Sequence, residues 1–81
     1  MSGGIFINMD KKETLKIIGK ICKKHREQLK VSQKLIAKVC NIPQPSISKF
    51  ENGKNDSAYI LLTYMELFSI DLLKNFRDTN V

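Results

Sequence analysis

One pair of side chains in this chain has the types and spacing that a catalytic or metal site would need. Cys22 and His25 lie three residues apart, so on a helix the thiol and the imidazole are one turn from each other. A nucleophilic pair or half of a zinc site needs further partners, but His25 is the only histidine in the sequence. Both residues are therefore predicted to be ordinary residues at the edge of a core. No paired acid and base is apparent either, so the sequence predicts no enzyme, no metal and no cofactor.

A longer pattern runs from Ser32 to Lys54, where apolar residues recur at helical spacing with polar and basic residues between them. The pattern predicts two short helices separated by Asn41-Ile42-Pro43, a break too short to be a linker. Two helices joined by such a turn form a helix-turn-helix, and the second helix of this motif can enter a DNA major groove. The apolar positions expected to hold the two helices together are Ile36, Ala37, Cys40, Ile42, Ile47 and Phe50.

The net charge of +6 is unevenly distributed along the chain. Twelve of the 14 Lys and Arg residues, but only three of the eight acidic residues, lie between residues 11 and 54. Residues 55–81 carry two basic and four acidic residues. This asymmetry favours a polyanionic partner on one side of the molecule. A solvated surface rich in lysine is the alternative.

Length and composition predict one small domain in the cytoplasm. The chain has 81 residues, and its 42% hydrophobic content excludes a wholly disordered protein. The sequence contains no run of 18 apolar residues and no visible secretory signal, which predicts no membrane span and a cytoplasmic location. In that reducing compartment Cys22 and Cys40 are expected to be free thiols.

The chain is predicted to be all-α, with an N-terminal arm or tail at 1–10, a domain at 11–77 and a C-terminal tail at 78–81. Within the arm, Ile5-Phe6-Ile7 could pack on a partner chain or belong to an unstructured tail. The residues from Arg77 onward are expected to fray. The five predicted helices are Lys11–Gln28, Gln33–Cys40, Gln44–Glu51, Ala58–Phe68 and about Asp71–Phe76.

Local signals set the faces and ends of these helices. Ser32 and Ser57 are expected N-caps, Asn41 is expected in the left-handed conformation, and Gly53 suits a helix C-cap. The fourth helix is apolar nearly all round, which favours a second face covered by a partner chain. The core-facing stripe of the first helix is predicted to be Leu15, Ile18, Cys22, His25 and Leu29.

Five short helices with the Ser32-Gln33 opening and the ending Phe50-Glu51-Asn52-Gly53-Lys54 resemble the phage-repressor and Cro-type (XRE) family of DNA-binding domains. The resemblance covers about Leu15 to Phe76. It implies a five-helix lambda-repressor-like fold in which the second and third helices form the helix-turn-helix.

The resemblance also implies a role for each polar residue of the motif. Gln33 would bond a backbone phosphate and brace Gln44. Gln44 would read a base, and its side-chain amide is suited to a bidentate contact with adenine. Arg26 and Glu51 match a structural pair of the family, so a salt bridge is expected between them. The residues implied in the groove are Gln44, Pro45, Ser46, Ser48 and Lys49. Those implied on the phosphate backbone are Gln33, Asn52, Lys54 and Asn55.

Three residues depart from the family pattern. Pro43 replaces the usual hydroxyl cap before the third helix, so that cap bond is lost. Pro45 occupies a base-facing position without a polar group and can only pack, for example on a thymine methyl. Asn41 stands where glycine is usual. None of these departures changes the expected fold, and the two prolines alter the expected base preference.

The resemblance implies a sequence-specific regulator that binds double-stranded DNA as a homodimer on a pseudo-palindromic operator. The dimer contact could involve the fourth helix, the fifth helix or the N-terminal arm. The alternative is a protein-interaction module, an adaptor or antitoxin-like partner, that uses the same fold and its apolar fourth helix. The operator sequence, and repression as against activation, are left open.

Overall fold

The computed structural model describes residues 10–80, with side chains up to residue 78, and every regular element in that part of the chain is a helix. The all-α prediction is confirmed, and the predicted bounds of the first four helices match the structure. The predicted N-terminal arm lies outside the described residues, except for Asp10. The helices are α1 (Lys11–Gln28), α2 (Gln33–Cys40), α3 (Gln44–Glu51), α4 (Ala58–Phe68) and α5 (Leu72–Asn80).

Side-chain caps explain why the helices start where they do. Asp10, Ser32 and Ser57 precede α1, α2 and α4, and each side chain accepts a hydrogen bond from the N–H three residues later. Each bond satisfies one of the N–H groups that the first turn of a helix leaves free. Asn41 ends α2 in the left-handed conformation, with φ 57° and ψ 47°. Its short polar side chain tolerates this region better than most residues do.

The core lies between the five helices, each of which contributes at least one buried side chain to it. Tyr64 and Phe76 are its largest side chains and are fully buried. Burial of this apolar surface is the main driving force for folding. The buried core residues are Ile21, Cys22, Ile36, Ala37, Cys40, Ile47, Phe50, Ile60, Tyr64, Ile70 and Phe76.

The predicted core position of Leu29 is wrong, since this side chain is 63% exposed. Helix α1 ends at Gln28, so the helical spacing that placed Leu29 on the core stripe no longer applies. Lys30 then adopts the left-handed conformation, with φ 57°. The chain turns there, and Val31 packs against the core instead.

The end predicted for the fifth helix is also wrong. Helix α5 runs from Leu72 to Asn80, so residues 77–80 are helical rather than frayed, and only Val81 lies outside the described residues. Asp71 precedes the helix, and its carboxylate accepts a hydrogen bond from the Lys74 N–H at 3.1 Å. The stretch after Phe76 contains neither glycine nor proline, so nothing in it stops the helix.

Glycine allows α1 to lie directly on the end of α3. A Cβ atom at Gly19 would come within 2.5 Å of the Glu51 carbonyl oxygen. A Cβ atom at Gly53, which has φ 76°, would come within 2.8 Å of the Lys16 Cα atom. The backbone of α1 therefore touches both the last turn of α3 and the loop that follows it.

Candidate nucleic-acid interface

The turn between α2 and α3 fixes the angle between the two helices. The Ile42 N–H donates to the Ala37 carbonyl at 3.0 Å, which closes the turn after the left-handed Asn41. Pro43 then gives α3 an extended N-cap without a side-chain hydrogen bond. Pro45 costs no hydrogen bond because the first-turn N–H groups have no helical partner. The α2–α3 unit is thus held by its backbone and by buried side chains.

Helix α3 turns one face to the core and the other to solvent. Ile47 and Phe50 are buried, with exposed fractions of 0% and 3%. The residues implied for base contacts lie on the opposite side and at the N-terminal tip. Of these, Gln44, Pro45 and Lys49 are exposed, and Ser46 and Ser48 are half-buried.

Gln33 and Gln44 meet at the tip of this exposed face. They line a shallow concavity of about 360 Å³ together with Pro45 and Ser48. The hydrogen bond of Gln33 goes from Nε2 to Glu51 Oε1 at 2.9 Å. This bond fixes which end of the amide faces inward, and it leaves one N–H of Nε2 free for an outside acceptor. Gln33 and Gln44 share this concavity, and the brace between them stays a prediction.

Glu51 is the buried centre that connects four helices. Its carboxylate accepts from Arg26 Nε at 2.7 Å and Arg26 Nη2 at 3.0 Å, so the pair for which a salt bridge is predicted is bidentate. The Tyr64 hydroxyl donates to the same carboxylate. Arg26 also donates from Nη1 to the Val31 carbonyl at 2.7 Å. Every polar group of this network has a partner, as a buried charge requires.

The network holds Glu51 in its ionised form. Burial on its own would raise the pKa of the Glu51 carboxyl, but hydrogen bonds from Arg26, Tyr64 and Gln33 outweigh it, so the pKa lies below its ordinary value. The hydrogen bond to Glu51 raises the pKa of Arg26. Burial and then the Glu51 hydrogen bond raise the pKa of Tyr64, which therefore stays protonated and can donate.

The loop after α3 presents the residues implied for phosphate contacts. Asn52 and Lys54 are exposed, and Asn55 is half-buried. Asn52 Nδ2 donates to the Ser48 carbonyl at 2.8 Å, and the Lys54 N–H donates to the Lys49 carbonyl at 2.8 Å. The Asn55 side-chain oxygen accepts from the backbone N–H two residues later, so its amide nitrogen remains available. Hydrogen bonds thus hold the loop in place, and it exposes the amide of Asn52 and the ammonium group of Lys54.

Two features of this site did not follow from sequence reasoning. The hydrogen bond from Gln33 to Glu51 and the one from Tyr64 to Glu51 were not expected. Spacing could have placed Tyr64 in the core, because it lies four residues after the buried Ile60. Nothing local predicts that its hydroxyl reaches a carboxylate thirteen residues earlier.

Cys22 and His25 do not form a reactive pair. Cys22 is fully buried, and burial raises the pKa of its thiol to about 12. The His25 Nδ1 atom lies 2.9 Å from the Ile21 carbonyl oxygen, one turn back on the same helix. Among the residues that the structure describes, no group of three or more His, Cys, Asp or Glu side chains could hold a metal ion.

Comparison with known proteins agrees with this geometry. A family model described as helix-turn-helix matches residues 23–63, which span the end of α1, all of α2 and α3, and the first half of α4. The chain belongs to this XRE-type helix-turn-helix family of DNA-binding domains, as its sequence predicted, and its five helices agree with the lambda-repressor-like fold.

The chain is also similar to one much longer protein. It is 33% identical over 73 residues to a protein of Methanococcus maripaludis that is provisionally named an HTH-type transcriptional regulatory protein. The alignment covers 89% of this chain but 20% of the relative, so the chain spans about a fifth of that protein's length. No solved structure matches the chain significantly. Between residues 10 and 80, none of the helices is long and apolar enough to span a membrane.

Proposed function

We propose that this chain is a sequence-specific regulator that binds double-stranded DNA by placing α3 in the major groove. The observation that carries the proposal is the exposed polar face of α3 beside the loop Asn52–Asn55. This arrangement offers base-reading groups and phosphate-binding groups on one side of the domain. The relative's name supports a role in transcription. We propose that the protein binds DNA in the cytoplasm and catalyses no reaction.

The residues have separate roles in this proposal. Gln44 reads base edges, with Pro45, Ser46, Ser48 and Lys49 lining the groove around it. Gln33 donates its free N–H to a phosphate at one end of the motif. Asn52, Lys54 and Asn55 hold phosphates at the other end. Since Glu51 bonds Gln33 and directly precedes Asn52, one buried carboxylate connects both phosphate contacts.

Selection of bound DNA from a random double-stranded pool tests this function. We expect enrichment of one sequence, with its base preferences confined to the few pairs that α3 can reach. Affinity for the enriched duplex should fall steeply with salt, because phosphate contacts release counterions. Failure to enrich any sequence, or binding that does not change with salt, would contradict the proposal.

We further propose that two copies bind together on a pseudo-palindrome. Large apolar side chains on α4 and α5 support this, since Tyr59, Leu62, Leu67 and Leu73 are 56%, 61%, 47% and 60% exposed. A second copy would cover this surface and set the spacing of two half-sites at about 34 Å or a multiple. The N-terminal arm remains an alternative contact.

The variant Leu62→Glu tests the dimer without disturbing the core. It should bind a single half-site as the wild type does, yet lose at least tenfold affinity for the palindrome, because the second copy no longer associates. Sedimentation of each protein with and without DNA would give the stoichiometry. The exposed variant Lys30→Glu, between α1 and α2, controls for added negative charge away from the proposed dimer surface. Equal palindrome affinity for Leu62→Glu and wild type would rule out α4 as the dimer contact.

The second candidate function is a protein-interaction module, and the same apolar face of α4 is what favours it. In that case a different protein would cover Tyr59, Leu62 and Leu67. A tight complex with a second protein, together with no enriched sequence in the DNA selection, would favour this candidate over the first.

A further inference from the structure

A groove between α1 and the end of α3 carries positive charge that the helix-turn-helix does not use. It has a volume of about 850 Å³. One wall is the outer face of α1, and the floor is the C-terminal end of α3 with Asn52. The four lysines of that wall are Lys16, Lys20, Lys23 and Lys24.

The charge of this groove is largely uncompensated. All four lysines are exposed, and none of them forms an ion pair within residues 10–80. Two acids also line the groove. Glu51 is already neutralised by the bidentate Arg26, and Glu27 is exposed and lies 3.9 Å from the same guanidinium. A concave surface whose net charge is positive attracts a polyanion.

The two glycine contacts place this groove beside the phosphate-binding loop. Gly19 brings α1 onto the Glu51 carbonyl, and Gly53 lies against the backbone of Lys16. Asn52 therefore belongs both to the groove and to the loop that is proposed to hold a phosphate. A DNA strand that reaches Asn52 would run directly past the lysine wall.

We infer that this groove binds the phosphate backbone of the same duplex beyond the base pairs that α3 reads. The inference rests on the proposed function. The lysines from Lys16 to Lys24 span about 12 Å of helix, at about 1.5 Å per residue. That length equals the axial rise of three to four phosphates of one strand, at about 3.4 Å each. The contacts add affinity for flanking DNA without reading its sequence.

The double variant Lys20→Gln/Lys23→Gln removes two cations from the centre of the wall. The double variant Lys30→Gln/Lys38→Gln, on exposed positions outside the groove and outside α4 and α5, removes the same charge elsewhere. Both should melt at the wild-type temperature because these side chains are exposed. The probe is the duplex enriched from the random pool, in a long form with flanking pairs and in a form trimmed to the half-sites.

The groove variant should bind the long duplex more weakly than wild type, with an unchanged base preference. Its plot of log affinity against log salt should be shallower by about 0.9 for each lost phosphate contact, or about 1.8 in total. On the trimmed duplex the difference from wild type should disappear, and the Lys30→Gln/Lys38→Gln variant should match the wild type throughout. If the groove variant binds the long duplex with wild-type affinity and slope, the groove does not bind DNA, although the proposed function stands. If the wild type enriches no duplex at all, that result contradicts the proposed function itself, before any groove variant is compared.

Discussion

At the scale of single residues, Glu51 has both a structural role and a role in orienting the proposed DNA contact of Gln33. It accepts hydrogen bonds from Arg26 on α1, Gln33 on α2 and Tyr64 on α4. The same carboxylate therefore holds the helices together and orients the amide that is proposed to meet a phosphate. A buried charge of this kind is stable only while its partners are all present.

Removal of one partner should be costly for this reason. Arg26→Ala leaves the Glu51 carboxylate buried without its counter-ion, and we expect a loss of about 3–5 kcal/mol in the free energy of unfolding. Urea denaturation measures this loss, with the exposed Arg77→Ala as a control that should change it little. The preferred DNA sequence should stay the same, because Arg26 is buried against Glu51 and does not lie on the exposed face of α3. A variant as stable as the wild type would show that the pair is not structurally important.

The network also predicts how stability depends on pH. The pKa of Glu51 is lower in the folded protein than its ordinary value of 4.5, so its contribution is complete above that pH and is lost as the pH falls through the folded-state pKa. Thermal melting between pH 7 and pH 2 should therefore show a steeper acid-side decline for wild type than for Glu51→Gln. Asp56→Asn is the matched control. Lys11 also lowers the pKa of Asp56, but both groups are exposed, so that variant should keep the wild-type decline. Equal declines for wild type and Glu51→Gln would contradict the assignment.

At the scale of elements, the contact between α1 and α3 depends on a missing side chain. Gly19→Ala would normally stabilise a helix interior by about 1 kcal/mol. Here the new methyl group would lie 2.5 Å from a backbone carbonyl oxygen that cannot rotate away, and overpacking typically costs about 1–3 kcal/mol.

We therefore expect Gly19→Ala to lower the melting temperature in spite of its better helix propensity. The neighbouring exposed substitution Lys20→Ala should leave it nearly unchanged. A rise in melting temperature for Gly19→Ala would mean that α1 can move away from α3 at little cost.

Sequence signals predicted the helices well where the deciding interactions were local. The caps at Ser32 and Ser57 and the left-handed Asn41 act within a few residues, and each was predicted at the right position. The position of Leu29 and the end of α5 were predicted wrongly. At Leu29 the apolar periodicity continued past the true end of α1, and after Phe76 no residue marks a stop.

The candidate site was predictable to the same extent. Which residues face outward on α3 follows from the spacing of Ile47 and Phe50. The hydrogen bonds from Gln33 and Tyr64 to Glu51 do not, because they join residues 18 and 13 positions apart in sequence. The Arg26–Glu51 pair, 25 positions apart, followed only from the family resemblance. The lysine groove could not be predicted from the sequence either, since the spacing of charges along a helix does not show whether its face is flat and solvated or part of a groove.

At the scale of the whole molecule, the basic surface and the proposed dimer surface lie on different elements. The lysines of α1 and Lys54 in the loop after α3 are exposed, whereas Tyr59, Leu62, Leu67 and Leu73 are exposed on α4 and α5. This arrangement suits the proposal that the protein meets a polyanion with one set of elements and a second copy with the other. Salt should weaken the first association by counterion release and affect the second much less.

The central claim is that α3 reads bases while the loop after it holds phosphates. Selection from a random pool with wild type, Gln44→Ala and Lys54→Ala tests this division most directly. Gln44→Ala should lose its preference at one or two base pairs, at a cost of about 1–3 kcal/mol on the wild-type sequence. Lys54→Ala should keep the preference, bind all sequences more weakly and show a salt slope reduced by about 1. A wild-type preference in Gln44→Ala, or an altered one in Lys54→Ala, would contradict the claim.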